Sequence, residues 1–412
     1  MKNVDKHFDV AKEILDQTEK ELQNIPPVNI LIVGKSGVGK STLVNSVFRE
    51  RIADTGIGKP VTKHLQKISR KDVPVTLYDT RGLELSPEVQ KDVETEIFDL
   101  IKKNKGTKDE IHVAYYCIQG TSSRIEDTEI EILETISEKI PVVLILTQAV
   151  GEQAKKFESV LKDMNLSVAA IHSVLAEPYV ISEDYTVQPF GLKELIDRTV
   201  NIIPDKAKKA FINAQQVDIE RKVQSAKTWA NRYIVTTFGV GFTPIPFSDA
   251  SIIVPMQITL LTHITVIFGV SIDRATMLSV IAAVGGTGSA TYIGRTIVSN
   301  AFKFIPGIGT IVGGLISGTT ASIITRALAD SYIQVLKVIA LNELEGKTTS
   351  TDKIVVFMQK QFKQTIKANK NELSKESNNL ESNQKGLIKQ IAVFKKTVEN
   401  FSSKITDRLN NE

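Results

Sequence analysis

Cysteine is nearly absent: Cys117 is the single one in 412 residues. No internal disulfide can form, which suits a reducing compartment. The five histidines are scattered and, beside one cysteine, make no metal-ligand cluster. An excess of one charge is missing too. The formal net charge of +4 is small for this length, so no nucleic-acid partner is expected. The opening segment, MKNVDKHFDVAKEILDQTEKELQNIPP, lacks the apolar core of a signal peptide and reads as a charged amphipathic helix stopped by Pro26 and Pro27. What is present is ordinary: 42% hydrophobic and 24% charged residues support a real core. The length suits about two or three domains.

From residue 28 to 203 apolar β-rich runs alternate with helical patterns. The runs are VNILIVG (28–34), VPVTLYDT (73–80), IHVAYYCIQG (111–120), PVVLILTQ (141–148) and EPYVIS (177–182). Near-continuous apolar strands separated by helices predict a mainly parallel sheet covered on both faces. After Pro204 the strand signals fade. Residues 205–240 read as helix, GVGFTPIPFSDAS breaks the pattern, and three long uncharged stretches follow at roughly 250–272, 275–294 and 304–325. From about 347 the composition turns to Lys, Asn, Ser, Glu and Gln, with a heptad seam through Leu373, Leu380, Leu387, Ile391, Phe394, Val398, Phe401 and Ile405. The first helix has a shorter seam in Phe8, Ala11, Leu15 and Leu22. Such seams serve packing within one chain or a coiled coil between chains. The expected organisation is an N-terminal amphipathic helix (1–25), an α/β domain (26–204), an all-α, Gly-rich apolar domain (205–346) and a C-terminal amphipathic, heptad-bearing helix (347–412).

GKSGVGKS, residues 34–41, fits the pattern G-x-x-x-x-G-K-[ST] and lies between an apolar strand and a helical run. Gly34, Gly37 and Gly39 let the backbone turn, so that the N–H groups from Ser36 through Val38 to Thr42 converge on one point with the helix N-terminus behind them. That arrangement cradles phosphates. Lys40 adds a positive charge toward the β- and γ-phosphates, and the Ser41 hydroxyl suits Mg²⁺. LYDTRGLE (77–84) places Asp79 at a strand end, where it suits the same metal, and Gly82, whose N–H suits a γ-phosphate. Between the two, TGIGKPVTKH (55–64) offers Thr62 as a third metal ligand, engaged with triphosphate and released after hydrolysis. The residues themselves imply a nucleoside triphosphate with Mg²⁺, held by Ser41, Thr62 and Asp79.

GKSGVGKSTLVNSVF, GKPVT and LYDTRG together resemble the P-loop, switch I and switch II of the Era-like, translation-factor class of GTPases. DEIHVAYYCIQGTSSRIEDTE is similar to a signature in one bacterial branch of that class. QVDIERKVQSAKTW, PIPFSDASIIVPMQITLLTHITVIFGV and FIPGIGTIVGGLISGTTASIITRALADSYI resemble a helical domain that also occurs in inner-membrane proteins of the YcjF type. The similarity covers about residues 25–345. It implies a P-loop GTPase fold, GTP and GDP as ligands, and the cytoplasm as location, at the surface of the inner membrane or with a hairpin inserted in it.

This chain departs from the class at three positions. Arg81 precedes the switch II glycine, and Leu83 stands where the water-orienting glutamine belongs, so intrinsic hydrolysis is expected to be slow; Arg81 itself is a candidate internal arginine finger. In place of Asn/Thr-Lys-x-Asp the chain has Thr147-Gln148-Ala149-Val150, without the guanine-reading aspartate. Thr147 and Gln148 remain candidate base contacts, Glu152 is the nearest carboxylate, and Ser182 in VIS (180–182) is the candidate for guanine O6. The apolar stretches within 250–325 suit a bundle that meets a membrane or a hairpin inserted in one. The leading expectation is a slow, Mg²⁺-dependent GTPase switch that couples its G domain to a helical membrane- or partner-binding domain. The alternatives are a dynamin-like or immunity-related mechanoenzyme that dimerises through its G domains on membranes, and a nucleotide-binding scaffold without turnover; a homodimer through the G domain or the C-terminal helix is the expected self-contact.

Overall fold

The structure is a computed structural model and describes residues 10–48, 52, 57–60, 62, 64–80, 87–238, 245–246, 250–270, 272–285, 315–316 and 318–368. Helix α1 (Val10–Asn24) leads into β1 (Val28–Val33), the P-loop and α2 (Lys40–Val47). Strands β2 (Ile57–Pro60), β3 (Leu65–Ser69) and β4 (Val75–Thr80) follow, then α3 (Pro87–Asn104) and β5 (Val113–Gln119). Next come α4 (Asp127–Ser137), β6 (Val142–Thr147), α5 (Gly151–Asp163) and β7 (Ala170–Ser173). A hairpin of β8 (Tyr179–Ser182) and β9 (Tyr185–Val187) precedes α6 (Leu192–Ile202) and α7 (Asp205–Ala214). The remaining helices are α8 (Ile219–Phe238), α9 (Ala250–Phe268), α10 (Arg274–Gly285), α11 (Gly318–Leu344) and α12 (Thr351–Ala368); the two-residue strands β10 (Ile245–Pro246) and β11 (Leu315–Ile316) pair with each other.

The main sheet has the order β2-β3-β4-β1-β5-β6-β7. The run from β4 to β7 is parallel, and β2 and β3 extend it as an antiparallel edge. Period-two alternation divides the strand side chains between the two faces of the sheet. Ile30, Ile32, Leu77, Tyr115 and Ile145 face α2, α6 and α7. Leu31, Val33, Tyr78, Tyr116 and Leu144 face α3, α4 and α5. Residues buried on both faces explain why β1 and β6 are apolar throughout. The α4 start is a capping box in which Glu126 accepts from the Glu129 amide and Glu129 from the Glu126 amide.

A second core joins α1, α8, α9, α10, α11 and α12. In α12 the buried residues Ile354, Met358, Phe362 and Ile366 recur every fourth position and form a single stripe. The Tyr332 and Thr265 hydroxyls meet at 2.7 Å inside this core, and the Trp229 ring stacks on His263, centroids 4.2 Å apart. Among the described residues no helix is long and apolar enough to cross a membrane. The first apolar stretch is α9, whose Ile258, Leu261, Ile264 and Phe268 are buried in this bundle. Much of the second and third stretches, and the heptad residues from Leu373 to Ile405, lie outside the described residues.

Two boundaries differ from the sequence reading. Residues 205–238 contain two helices, and the first, α7, packs with the α/β domain: Ala207, Ala210, Phe211 and Ala214 lie beneath the sheet. A cut at Pro204 would therefore pass through that core. At the other end, α1 belongs to the helical bundle through Ala11 and Ile14. The α/β domain is thus inserted between the first and second helices of the bundle.

Candidate functional site

The P-loop leaves β1 at the carboxyl edge of the sheet, where ligands of parallel sheets bind. Gly34 has φ 144°, and a Cβ there would stand 2.4 Å from the Cys117 carbonyl oxygen of β5. No side chain fits, so the loop backbone can lie directly against the neighbouring strand. Gly39, with φ 96°, turns the chain into α2. The Lys40 ammonium donates to Gly34 O at 2.7 Å and Lys35 O at 2.9 Å, which holds it over the loop. Ser41 follows in the first turn of α2 and is exposed. Lys35 pairs with Glu126 at 2.9 Å and Glu129 at 3.4 Å, so the start of α4 anchors the rim of the loop. Burial pulls the Lys35 pKa down, but hydrogen bonds and attraction to these two carboxylates outweigh it and leave it raised.

Asp79 lies one strand over, in register with Ile32, close to where β1 becomes the loop. Cys117 is buried on β5, the other neighbour of β1: burial pushes its thiol up to about 12, Lys40 opposing and Asp79 adding to the shift. It is a packing residue and no nucleophile. The Ser41 hydroxyl and Asp79 carboxylate are hard oxygen donors that fit Mg²⁺.

Thr147, at the end of β6, is buried, and its hydroxyl stands within bonding reach of the Val38 carbonyl and, at 3.0 Å, of the Ile118 carbonyl. This contact ties the base-side loop to the P-loop. Gln148 has φ 48°, a left-handed conformation, and its side-chain oxygen accepts from Gln119 Nε2 at 3.2 Å. A Cβ on Gly39 would lie 3.5 Å from Gln148 Nε2. The structure thus brings Thr147 and Gln148 together with the P-loop. Gln119 and Lys35 were missed by sequence reasoning; Gln119 closes the strand in CIQG, and its position opposite Thr147 in the β5–β6 register was the available signal.

Ser182 needs correction. It belongs to the exposed β8–β9 hairpin and is separate from the main sheet. The segment that meets the base-side loop is Val174, whose carbonyl accepts from Ala149 N at 3.2 Å and whose N–H donates to Leu146 O at 2.8 Å. The last parallel strand is Ala170–Ser173, so the fifth loop begins there and not at 180. Glu152 is exposed in the first turn of α5 and pairs with Lys155 at 2.8 Å. Thr62 lies just before β3 with its hydroxyl on Glu96 of α3. Arg81, Gly82 and Leu83 are outside the described residues.

Residues 29–148 match the family described as 50S ribosome-binding GTPase. The chain carries a GTP-binding P-loop GTPase domain. A stretch of this chain is 35% identical over 88 residues to translocase of chloroplast 90 of Arabidopsis thaliana, covering 20% of this chain and 11% of that protein. Human septin-12 is 26% identical over 164 residues, 33% of this chain and 45% of the septin. The matched stretch spans less than half the length of either relative. A crystal structure of a GTP-binding protein designated engB aligns with 42% of this chain and 98% of its own, at 19% identity and a TM-score of 0.32.

Proposed function

We propose that this chain is a Mg²⁺-dependent GTP switch whose G domain passes its nucleotide state to the helical bundle, and through it to a membrane surface or a protein partner. The observation that carries the reading is the linker between α7 and α8. Gln216 Nε2 donates to Asn45 O at 3.0 Å and Ser46 O at 3.2 Å, and its backbone N–H to Val47 O at 2.9 Å. The linker thereby caps the carboxyl end of α2, the helix that the P-loop opens. Six residues on, Lys222 is buried and donates to Asn213 O at 2.7 Å and Phe268 O at 2.8 Å, the ends of α7 and α9. A shift of α2 therefore reaches the bundle through a few continuous hydrogen bonds.

In this reading the loop amides from Ser36 to Thr42 hold the phosphates, Lys40 balances their charge, and Ser41, Thr62 and Asp79 hold the metal. Mg²⁺ would neutralise charge on the transferring phosphate. Thr147 fixes the P-loop relative to the base-side loop, and Gln148 packs its planar amide where a base would lie. Leu83 cannot orient a water molecule, so turnover is slow in the absence of a partner.

Trp229, the sole tryptophan, lies in α8 against His263 and reports on the bundle. Its emission is expected to change when a non-hydrolysable GTP analogue and Mg²⁺ are added to the full chain, and to change much less with GDP. In Gln216→Ala the triphosphate should still bind while the emission change shrinks. Saturable binding with identical emission in both nucleotide states would refute the coupling.

A further inference from the structure

Glu96 of α3 gathers three donors at the edge of the phosphate site. The Thr62 hydroxyl donates to Glu96 Oε2, the His64 backbone N–H donates to the same oxygen at 3.1 Å, and His64 Nδ1 stands 3.2 Å from Oε1. Glu96 and His64 are mostly withdrawn from water, their side chains 21% and 7% exposed. The Thr62 oxygen also accepts from Leu65 N at 3.1 Å, and Thr62 N donates to Leu65 O at 3.3 Å. Leu65 is in register with Thr80, next to Asp79. Thr62 is therefore at the same carboxyl edge as Asp79 and the P-loop, but its hydroxyl is engaged toward α3.

We propose that Glu96 is a positioning residue that latches switch I, competing with the bound metal for the Thr62 hydroxyl. The inference rests on the reading of Thr62 as a metal ligand. Its physical basis is that hydrogen bonds to an ionised carboxylate are the strong ones, and that all three donors belong to the segment that carries Thr62. For the Thr62 oxygen to turn to a cation held by Ser41 and Asp79, its bond to Glu96 must break, and the segment held by His64 must move with it. The latch therefore taxes the triphosphate state alone, because the diphosphate state does not use Thr62. Two ends of one domain are set against each other: α3 follows the Asp79 strand and its loop, so any movement of α3 that withdraws Glu96 frees Thr62.

The test compares full-length wild type, Glu96→Ala, Glu96→Gln, Thr62→Val and the Glu96→Ala/Thr62→Val pair, using fluorescent GDP and a non-hydrolysable fluorescent GTP analogue with and without Mg²⁺. Releasing a charge-assisted hydrogen bond is worth about 10- to 100-fold. Glu96→Ala is expected to tighten Mg²⁺-dependent binding of the GTP analogue by about tenfold or more, leaving GDP affinity unchanged. Glu96→Gln, which keeps the shape but is a weaker acceptor, should show a smaller gain in the same direction and serves if the alanine variant does not fold. The gain should vanish in the double variant, since the coupling runs through one hydroxyl. If Thr62→Val alone leaves triphosphate binding unchanged, Thr62 is no metal ligand and the latch falls with it. If Thr62→Val weakens binding while both Glu96 variants leave the GTP-to-GDP ratio unchanged or lower it, Thr62 stands as a ligand and the latch is refuted.

Discussion

In the resemblance read from the sequence, Val150 stands where an aspartate would read guanine, and an aliphatic side chain offers neither N1 nor N2 of the base an acceptor. Glu152, two residues on, is exposed and paired with Lys155, whose hydrogen bond and charge hold its carboxyl below the ordinary value. What remains near the P-loop are the amides of Gln148 and Gln119 and the structural hydroxyl of Thr147. Sites that hydrogen-bond a substrate through buried polar groups discriminate by about 10⁴–10⁵, whereas apolar walls reach only about 10–200-fold. GTP should accordingly displace fluorescent GDP better than ATP does, but by less than about a hundredfold. A larger preference in that competition titration would mean that another group reads the base, and Glu152→Ala would be the next variant. Thr147 shows why residue chemistry alone misleads here: its hydroxyl is taken up by the Val38 carbonyl of the P-loop and the Ile118 carbonyl of β5, so it fixes one loop against another.

Among the elements, α5 illustrates how a sheet edge is held. Glu158 takes the Ser173 hydroxyl of β7 and the Lys162 ammonium. Burial raises its pKa, but hydrogen bonds from Lys162 and Ser173 outweigh that and leave the carboxyl below the ordinary carboxylate value. A depressed carboxylate stabilises the fold above its unfolded pKa, and the contribution is lost as pH falls through the folded value. Glu158→Gln should therefore lower Tm at pH 7, and the difference should shrink and vanish as pH falls through the depressed folded value, below the ordinary carboxylate range, as read by thermal melts across pH. The same edge marks where the sequence stopped being legible. Helices α3 to α6 were readable because each carries a long periodic stripe. The P-loop was readable because its glycines and lysine are needed by local geometry. Strand β7 is only Ala170–Ser173, half-buried and containing His172, so the stronger apolar pattern of Tyr179–Ile181 captured the assignment and moved the fifth loop to Ser182. Strand β2, Ile57–Pro60, carries Gly, Lys and Pro, which propensity places in turns; pairing with β3 is what makes it a strand. The Glu96 contacts link residues 32–34 positions apart, a separation no local pattern reveals.

Across the whole molecule, the two cores meet at Lys222. Its ammonium satisfies carbonyls at the ends of α7 and α9, where helices leave such groups unpaired. Lys222→Met keeps the volume and removes the donor, leaving buried oxygens without it at a cost of about 1–3 kcal/mol. Thermal unfolding should shift down accordingly. If the two domains depend on this joint to unfold together, the wild type should melt in one transition and the variant in two. One unchanged transition would mean that the joint is incidental. Its neighbour Gly269, with φ 63°, lies so close to Asn213 O that a Cβ would come within 3.2 Å, and α9 therefore ends hard against α7.

Because α1 belongs to the bundle and α7 to the sheet, the chain passes between the two bodies twice, at 25–27 and again at 215–218. A body on one tether can drift and spin in every direction. A body on two short tethers keeps one easy motion, a swing about the line that joins them, like a door on its pins. Chain connectivity thus favours one direction of travel, and in the proposed switch reading a nucleotide-driven shift of the G domain would reach the bundle as rotation about that line.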